Sequence, residues 1–153
     1  MQFRQLDRGE LIAVAGGILL AASLFMVWYR LGDRYSVLNS CTGANHSCSG
    51  WASLSIVRFL LLLTAIAPIV LAYIIVRGHA LSWPRGELTA VIALSALTFT
   101  LFRGLIDKPG SPPGQISIGY GWWVALLGGA LILLGSIWRS REGAARRKPP
   151  GVL

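Results

Sequence analysis

Two cysteines, Cys41 and Cys48, have the type and spacing that could carry chemistry. They are the only cysteines of the chain, and mostly small polar residues separate them. Two cysteines in one loop outside the cytoplasm usually pair with each other. We therefore expect a structural disulfide that closes a small loop.

Two other uses of these cysteines stay open. A thiol-oxidising membrane enzyme would relay electrons through a second dithiol or a Cys-x-x-Cys motif, and the sequence contains neither. A zinc site would take Cys41, Cys48 and His46 as three ligands, but His79 lies beyond the next long apolar segment. Because a closed structural zinc site takes four ligands, we predict no metal and no cofactor.

Two arginines stand at the margins of long apolar segments. Arg58 precedes the run that begins at Phe59, and Arg103 lies near the end of another run, four residues before Asp107. That spacing permits an ion pair on a helix. Either these side chains reach water or phosphate from helix ends, or they form an outer polar cluster that binds an anion, a substrate or a partner helix. The cluster would contain Arg58, Arg103 and Asp107.

The elements that must position these residues are four long apolar segments. About 20 helical residues cross a hydrocarbon core of about 30 Å. Only helices and closed barrels satisfy the backbone in lipid, and runs such as residues 59–63 lack the alternation of barrel strands. The sequence therefore predicts an all-α, integral membrane bundle of four transmembrane helices. The predicted spans are 11–29, 59–76, 88–106 and 120–138, with an outer loop over 30–58.

Composition and charge agree with a membrane protein. Hydrophobic residues make up 54% of the chain and charged residues only 13%, whereas soluble domains average about 25% charged residues. The net charge of +8 would suggest nucleic acid in a soluble protein. No recognisable nucleic-acid-binding module is present, and the excess lies beside the apolar segments, so we expect no nucleic-acid partner.

The distribution of lysine and arginine predicts the orientation. Positively charged residues favour the cytoplasmic side, and an N-in arrangement places nine of them there against five outside. Both termini are therefore predicted in the cytoplasm, with 139–153 as a basic, disordered tail. The inner set is Arg4, Arg8, Arg77, Arg85, Arg139, Arg141, Arg146, Arg147 and Lys148, and the outer set is Arg30, Arg34, Arg58, Arg103 and Lys108.

Aromatic residues mark the ends of the predicted spans. All six tryptophans lie at or beyond these ends, where indole rings prefer the headgroup level. They are Trp28, Trp51, Trp83, Trp122, Trp123 and Trp138.

Small residues recur at helix-packing spacing. Ala13, Gly17 and Ala21 form one stripe, and Ala125 and Gly129 begin another. Such stripes let helix backbones approach closely in lipid. We interpret them as packing faces within the bundle, or as a dimer or partner face. Pro68 is expected to kink the second span. Gly128 and Gly135 lie a heptad apart.

Short motifs near the span ends carry a resemblance. The chain resembles uncharacterised small four-helix integral membrane proteins of actinobacterial type, a group with no assigned activity. The matching motifs are Arg8-Gly9-Glu10-Leu11, Trp28-Tyr29, Arg103 with Asp107-Lys108-Pro109-Gly110, Tyr120-Gly121-Trp122-Trp123 and Trp138-Arg139. The cysteine pair departs from the shorter first loop of that group. A claudin-like outline is also present, but the cysteine loop lacks the Gly-Leu-Trp approach of claudins.

The resulting functional hypothesis is a non-enzymatic accessory or scaffold subunit of a bacterial inner membrane. Its partners would be the lipid bilayer and a membrane protein or further copies of the chain. A small oligomeric transporter or channel, with Arg58 and Arg103 at its outer mouth, is the alternative. None of the six acidic residues lies mid-span, where proton-coupled transport would need one.

Overall fold

The computed structural model describes residues 8–32, 34–77, 87–111 and 114–146. This part of the chain is mostly helical. Its helices are α1 Arg8–Ser23, α2 Gly50–Ser53, α3 Val57–Val76, α4 Glu87–Leu101 and α5 Tyr120–Arg146. Its strands are β1 Val27–Leu31, β2 Val37–Leu38, β3 Cys41–Thr42, β4 Ser47–Ser49 and β5 Ile116–Ile118. Of the residues named above, Arg4, His79, Trp83, Arg85, Arg147 and Lys148 lie outside the described ranges.

Within the described residues, three helices are long and apolar enough to cross a membrane. They are Val57–Val76, Glu87–Ile106 and Tyr120–Arg141. The second combines α4 with the π-helical turn Phe102–Ile106 that continues it. Length and composition therefore agree with the second, third and fourth predicted spans.

The first predicted span, 11–29, is helical only in its first part. Helix α1 ends at Ser23 after 16 residues, and the chain turns over 24–26 before it enters β1. The indole Nε1 of Trp28 donates to the carbonyl of Ser23 at 2.7 Å, so the last turn of the helix is closed by a side chain. Aromatic and β-branched residues such as Val27 also favour a strand here. A fourth crossing stays a prediction.

The first part of the predicted disordered tail is helical. Helix α5 continues through Arg146, so residues 139–146 are helical. No proline lies between Pro113 and Pro149 in the sequence, and Arg139 is buried against α1 rather than free in solvent. Residues 147–153 lie outside the described ranges.

Two small sheets add strands that the all-α prediction lacks. One contains β4, β1 and β5 in that order, all antiparallel, and the other is the β2–β3 hairpin. Strand β1 follows α1, whereas β5 precedes α5, so the sheet joins the two loops at one end of the bundle. A backbone bridge between Val37 and Ser111 joins them again. We call this the sheet end of the bundle.

Helix α1 packs against α3 and α5, α4 packs against α5, and a smaller contact joins α3 to α4. The α1–α5 pair is antiparallel, because Gly9 lies against Gly135 and Gly16 against Gly128. A Cβ at Gly128 would lie 2.7 Å from the backbone nitrogen of Leu20, so only hydrogen fits there. Glycines thus allow these two backbones to touch.

The predicted stripe of Ala13, Gly17 and Ala21 is divided between two neighbours. Ala13 is buried against Gly135 of α5. Gly17 faces α3 instead, where a Cβ would lie 2.5 Å from the carbonyl oxygen of Ala65 and 3.0 Å from Pro68. Ala21 is partly buried beside the core.

The small residues of α5 are divided in the same way. Ala125 is buried in the core, and Gly129 faces Leu97 of α4. Gly128 and Gly135, which lie a heptad apart, form the α1 face. One helix therefore presents small residues to two partners at once.

Candidate functional site

The predicted disulfide forms between Cys41 and Cys48, with their Cα atoms 5.8 Å apart. It joins β3 of the hairpin to β4 of the three-stranded sheet, so it links the two sheets. Both cysteines are buried. The disulfide therefore connects the two sheets covalently at the sheet end.

The zinc alternative has little support at this position. Both sulfur atoms are bonded to each other, so neither is a free thiolate ligand. His46 is exposed with a positive φ of 52°, and its carbonyl accepts from the backbone N–H of Leu31 at 3.1 Å. In the described part of the chain, no group of three His, Cys, Asp or Glu side chains could hold a metal ion.

The predicted outer polar cluster divides into two separate arrangements. Arg103 Nη1 donates to Asp107 Oδ2 at 2.6 Å, as the spacing predicts. This ion pair is solvent-accessible. The contacts of Arg58 lie elsewhere and involve neither Arg103 nor Asp107.

Arg58 is held by aromatic rings and a carbonyl oxygen. Its Nη1 donates to the backbone oxygen of Trp51 at 3.1 Å. Its guanidinium carbon lies 5.0 Å from the ring centre of Trp51 and 4.8 Å from that of Phe59, which is cation–π geometry. Among the described residues, no acidic side chain forms an ion pair with Arg58.

The rings around Arg58 form a continuous surface. Phe25 stacks on Trp51 with ring centres 5.8 Å apart, and Phe59 meets Trp51 edge-on at 6.0 Å. We call Phe25, Trp51, Arg58 and Phe59 the Arg58 platform. From the sequence alone, Trp51 is predicted only as a residue of the membrane interface. Its position seven residues before Arg58 is the one sequence feature that could have suggested their contact.

A π-helical turn at the end of α4 is braced by two buried aromatic donors. The N–H of Asp107 donates to the carbonyl of Phe102 at 2.9 Å, which closes the wider turn. Tyr29 donates its hydroxyl hydrogen to the carbonyl of Arg103 at 2.9 Å. Trp122 Nε1 donates to the carbonyl of Thr100 at 2.8 Å. Both donors satisfy carbonyls near the irregular turn.

Two tryptophans of the described residues are buried inside the fold rather than at its surface. Trp28 and Trp122 are fully buried, and their rings rest on glycines that leave room for them. Gly50 and Gly121 face Trp28, whereas Gly104 faces Trp122. Trp123 and Trp138 are exposed.

Burial raises the pKa of Tyr29 to about 12. The nearby Arg103 guanidinium lowers this pKa, and the Asp107 carboxylate raises it. Tyr29 therefore stays a neutral hydrogen-bond donor over the physiological range.

A buried ion pair lies at the opposite end of the bundle. Arg139 Nε lies 3.6 Å from Glu10 Oε1, and the two residues are only 9% and 4% exposed. The charge count of the loops places Arg139 among the cytoplasmic residues and does not reveal this contact. The sequence could have suggested this ion pair, because Glu10 lies in the first turn of α1 and Arg139 lies in the second half of α5. Antiparallel packing of the two helices brings these positions together.

Comparison of the chain with protein-family models, with curated proteins and with solved structures gives no match. The function of the chain must therefore be inferred from its own chemistry. The described side chains form a disulfide brace, an aromatic platform around a cation and two ion pairs.

Proposed function

We propose that the chain is a multi-pass protein of a bacterial inner membrane. It crosses the membrane four times with both termini in the cytoplasm. It acts as a non-enzymatic accessory or scaffold subunit that packs against membrane partners or further copies of itself.

The packing of α1 on α5 supports the fourth crossing. Gly9 lies against Gly135 and Gly16 against Gly128, so α1 runs alongside the candidate span Tyr120–Arg141. Sixteen helical residues extend about 24 Å, most of a hydrocarbon core of about 30 Å. Since α5 is long enough to cross, its antiparallel neighbour occupies the same layer.

The disulfide and the charges support the orientation. The sheet end carries the Cys41–Cys48 disulfide, which forms in oxidising compartments outside the cytoplasm. Glu10 and Arg139 meet at the other end, and the sequence assigns the larger set of lysines and arginines to that side. An orientation with the sheet end outside and both termini in the cytoplasm satisfies both the disulfide rule and the positive-inside rule.

A pattern of exposed residues on α1 supports the proposed scaffold role. Large and small residues alternate on the outward face of this helix at intervals of four and three. That spacing forms a seam for a partner helix, and the small members let the backbones approach. The seam consists of Leu11, Ala15, Ile18 and Ala22.

The transporter alternative has less support. It needs Arg58 and Arg103 at a shared outer mouth, yet Arg58 engages Trp51 and Phe59 while Arg103 pairs with Asp107. Its test is flux of an anionic solute in proteoliposomes. Loss of flux in both Arg58→Ala and Arg103→Ala would favour a transporter over a scaffold.

The scaffold proposal is tested by the mass of the complex extracted in mild detergent. We expect the wild-type chain to run with a partner or as an oligomer. Ala15→Trp places a bulky ring in the seam and should release the monomer, whereas Leu94→Trp on the exposed face of α4 should not. Wild-type chain that elutes only as free monomer would contradict the proposal.

Membrane insertion and orientation are tested by two separate experiments. For insertion, we expect the wild-type chain to resist alkaline extraction from membranes. An impermeant thiol reagent should label Lys108→Cys from outside intact spheroplasts and should leave Arg141→Cys unlabelled. The reversed labelling pattern would overturn the orientation, and recovery of stable chain in plain buffer would overturn the membrane assignment.

A further inference from the structure

Arg58 is a cation whose charge has no acidic counterpart in the described part of the chain. One donor, Nη1, reaches the Trp51 carbonyl, and the enclosed Nε has no hydrogen-bond partner. Arg103 has the same charge at the same end of the bundle but is neutralised by Asp107. The two arginines therefore differ in their capacity to attract an anion.

The surroundings of Arg58 strengthen its attraction for an anion. It lies in the first turn of α3, where the helix dipole is positive. Ile56 occupies the N-cap and supplies no side-chain acceptor to the first turn. The Trp51 and Phe59 rings hold the guanidinium in place, so less side-chain entropy is lost when an anion binds.

An apolar track leads away from Arg58 along α3. Phe59, Leu63, Ile66 and Val70 are all exposed, at intervals of four, three and four residues. These intervals place their side chains on one face of the helix, below one another along the axis. The track begins at the cation and runs toward the middle of the candidate span.

We propose that the Arg58 platform binds one anionic phospholipid of the outer leaflet. The phosphate lies at Arg58 and the first turn of α3, and an acyl chain follows the track of Phe59, Leu63, Ile66 and Val70. Guanidinium groups are well suited to phosphate oxygens. The inference rests on the proposed function, because it requires that α3 enters the membrane at its N-terminal end from outside.

The experiment is native mass spectrometry of the full chain in mild detergent, titrated with phosphatidylglycerol or phosphatidylcholine. We expect selective retention of phosphatidylglycerol by the wild type. Arg58→Gln should weaken that binding about tenfold, the effect of one lost charge-assisted contact. Arg103→Gln is the matched control and should leave it unchanged, because Arg103 is already paired.

Two further measurements distinguish a bound phospholipid from a bound inorganic anion. Leu63→Ser leaves the cation intact and should weaken phosphatidylglycerol several-fold, which also decides the matter if Arg58→Gln fails to fold. Inorganic phosphate should not displace the lipid. Displacement by inorganic phosphate, or equal phosphatidylglycerol binding by wild type, Arg58→Gln and Leu63→Ser, would overturn the lipid site.

Alkaline extraction of the same variants separates this inference from the proposed function. Wild-type chain that is washed off membranes contradicts the membrane assignment itself. Chain that resists extraction yet shows no preference for phosphatidylglycerol contradicts only the lipid site.

Discussion

The hydroxyl of Tyr29 donates to the backbone carbonyl of Arg103 at 2.9 Å and ties strand β1 to the π-helical end of α4. Tyr29 is fully buried, so this carbonyl would be left without its donor if the hydroxyl were removed. Tyr29→Phe should therefore lower the free energy of unfolding by about 1–3 kcal/mol. Thermal unfolding of the two chains in detergent measures this loss of stability. Tyr120→Phe, at an exposed tyrosine, is the control and should change little.

The raised pKa of Tyr29 predicts a loss of stability at high pH. The pKa is about 12 in the folded chain and about 10 when unfolded, so the folded state holds the phenolic proton more tightly. The stability that protonated Tyr29 contributes to the folded chain is complete below pH 10 and is lost as the pH rises to about 12. The free energy of unfolding should fall by about 3 kcal/mol at most through this titration.

Comparison of wild type with Tyr29→Phe isolates this effect from other groups that titrate at high pH. The stability difference between the two chains should shrink between pH 10 and about 12. Tyrosinate absorbance should show an ionisation near pH 12 that Tyr29→Phe lacks. A Tyr29 that ionises near the ordinary tyrosine pKa of about 10 would contradict the prediction.

Much of the helical part of the fold could be predicted from hydropathy. The spans predicted at 59–76, 88–106 and 120–138 correspond to helices, because long apolar runs have few other ways to satisfy their backbones. The Cys41–Cys48 disulfide could also be predicted, since two cysteines in one loop have one pairing. These conclusions need only local sequence.

The strands could not be predicted in the same way. Val27–Leu31 continues an apolar run, and hydropathy does not distinguish a helix end from a buried strand. Strand β1 pairs with β5, whose residues lie far away in the sequence. Likewise, Trp28 and Trp123 both lie near span ends, yet only Trp28 is buried, because glycines across the fold make room for it.

The close approach of α1 and α5 predicts a steep penalty for any added atom at Gly128. A Cβ there would lie 2.7 Å from the nitrogen of Leu20 and 2.8 Å from the carbonyl oxygen of Gly16, and backbone atoms cannot move aside alone. Gly128→Ala should destabilise the chain by about 1–3 kcal/mol. Val91→Leu, which also adds one carbon but at an exposed position, should be tolerated. Equal stability of both variants would contradict the packing.

The buried pair of Glu10 and Arg139 predicts non-additive substitutions. Glu10→Gln removes the charge that lies 3.6 Å from Nε of the buried Arg139 and should lower the free energy of unfolding by about 3–5 kcal/mol. The double variant Glu10→Met and Arg139→Met should recover much of that loss, because apolar residues of similar volume replace both charges. Asp107→Asn breaks the solvent-accessible pair with Arg103 and should cost about 1 kcal/mol or less. A double variant that is no more stable than Glu10→Gln would show that the two charges are not coupled.

The disulfide between Cys41 and Cys48 should be inert and structural. Both cysteines are buried, so mild reductant should not open the bond in the folded chain, whereas a redox-active pair would be reduced readily. Replacing both with serine removes the link between the two sheets and should lower stability by about 2–3 kcal/mol. Mass spectrometry after thiol alkylation measures the first effect, and thermal unfolding the second. Rapid reduction under native conditions would instead favour the thiol-redox alternative, because it would show that reductant reaches the sulfur atoms without unfolding.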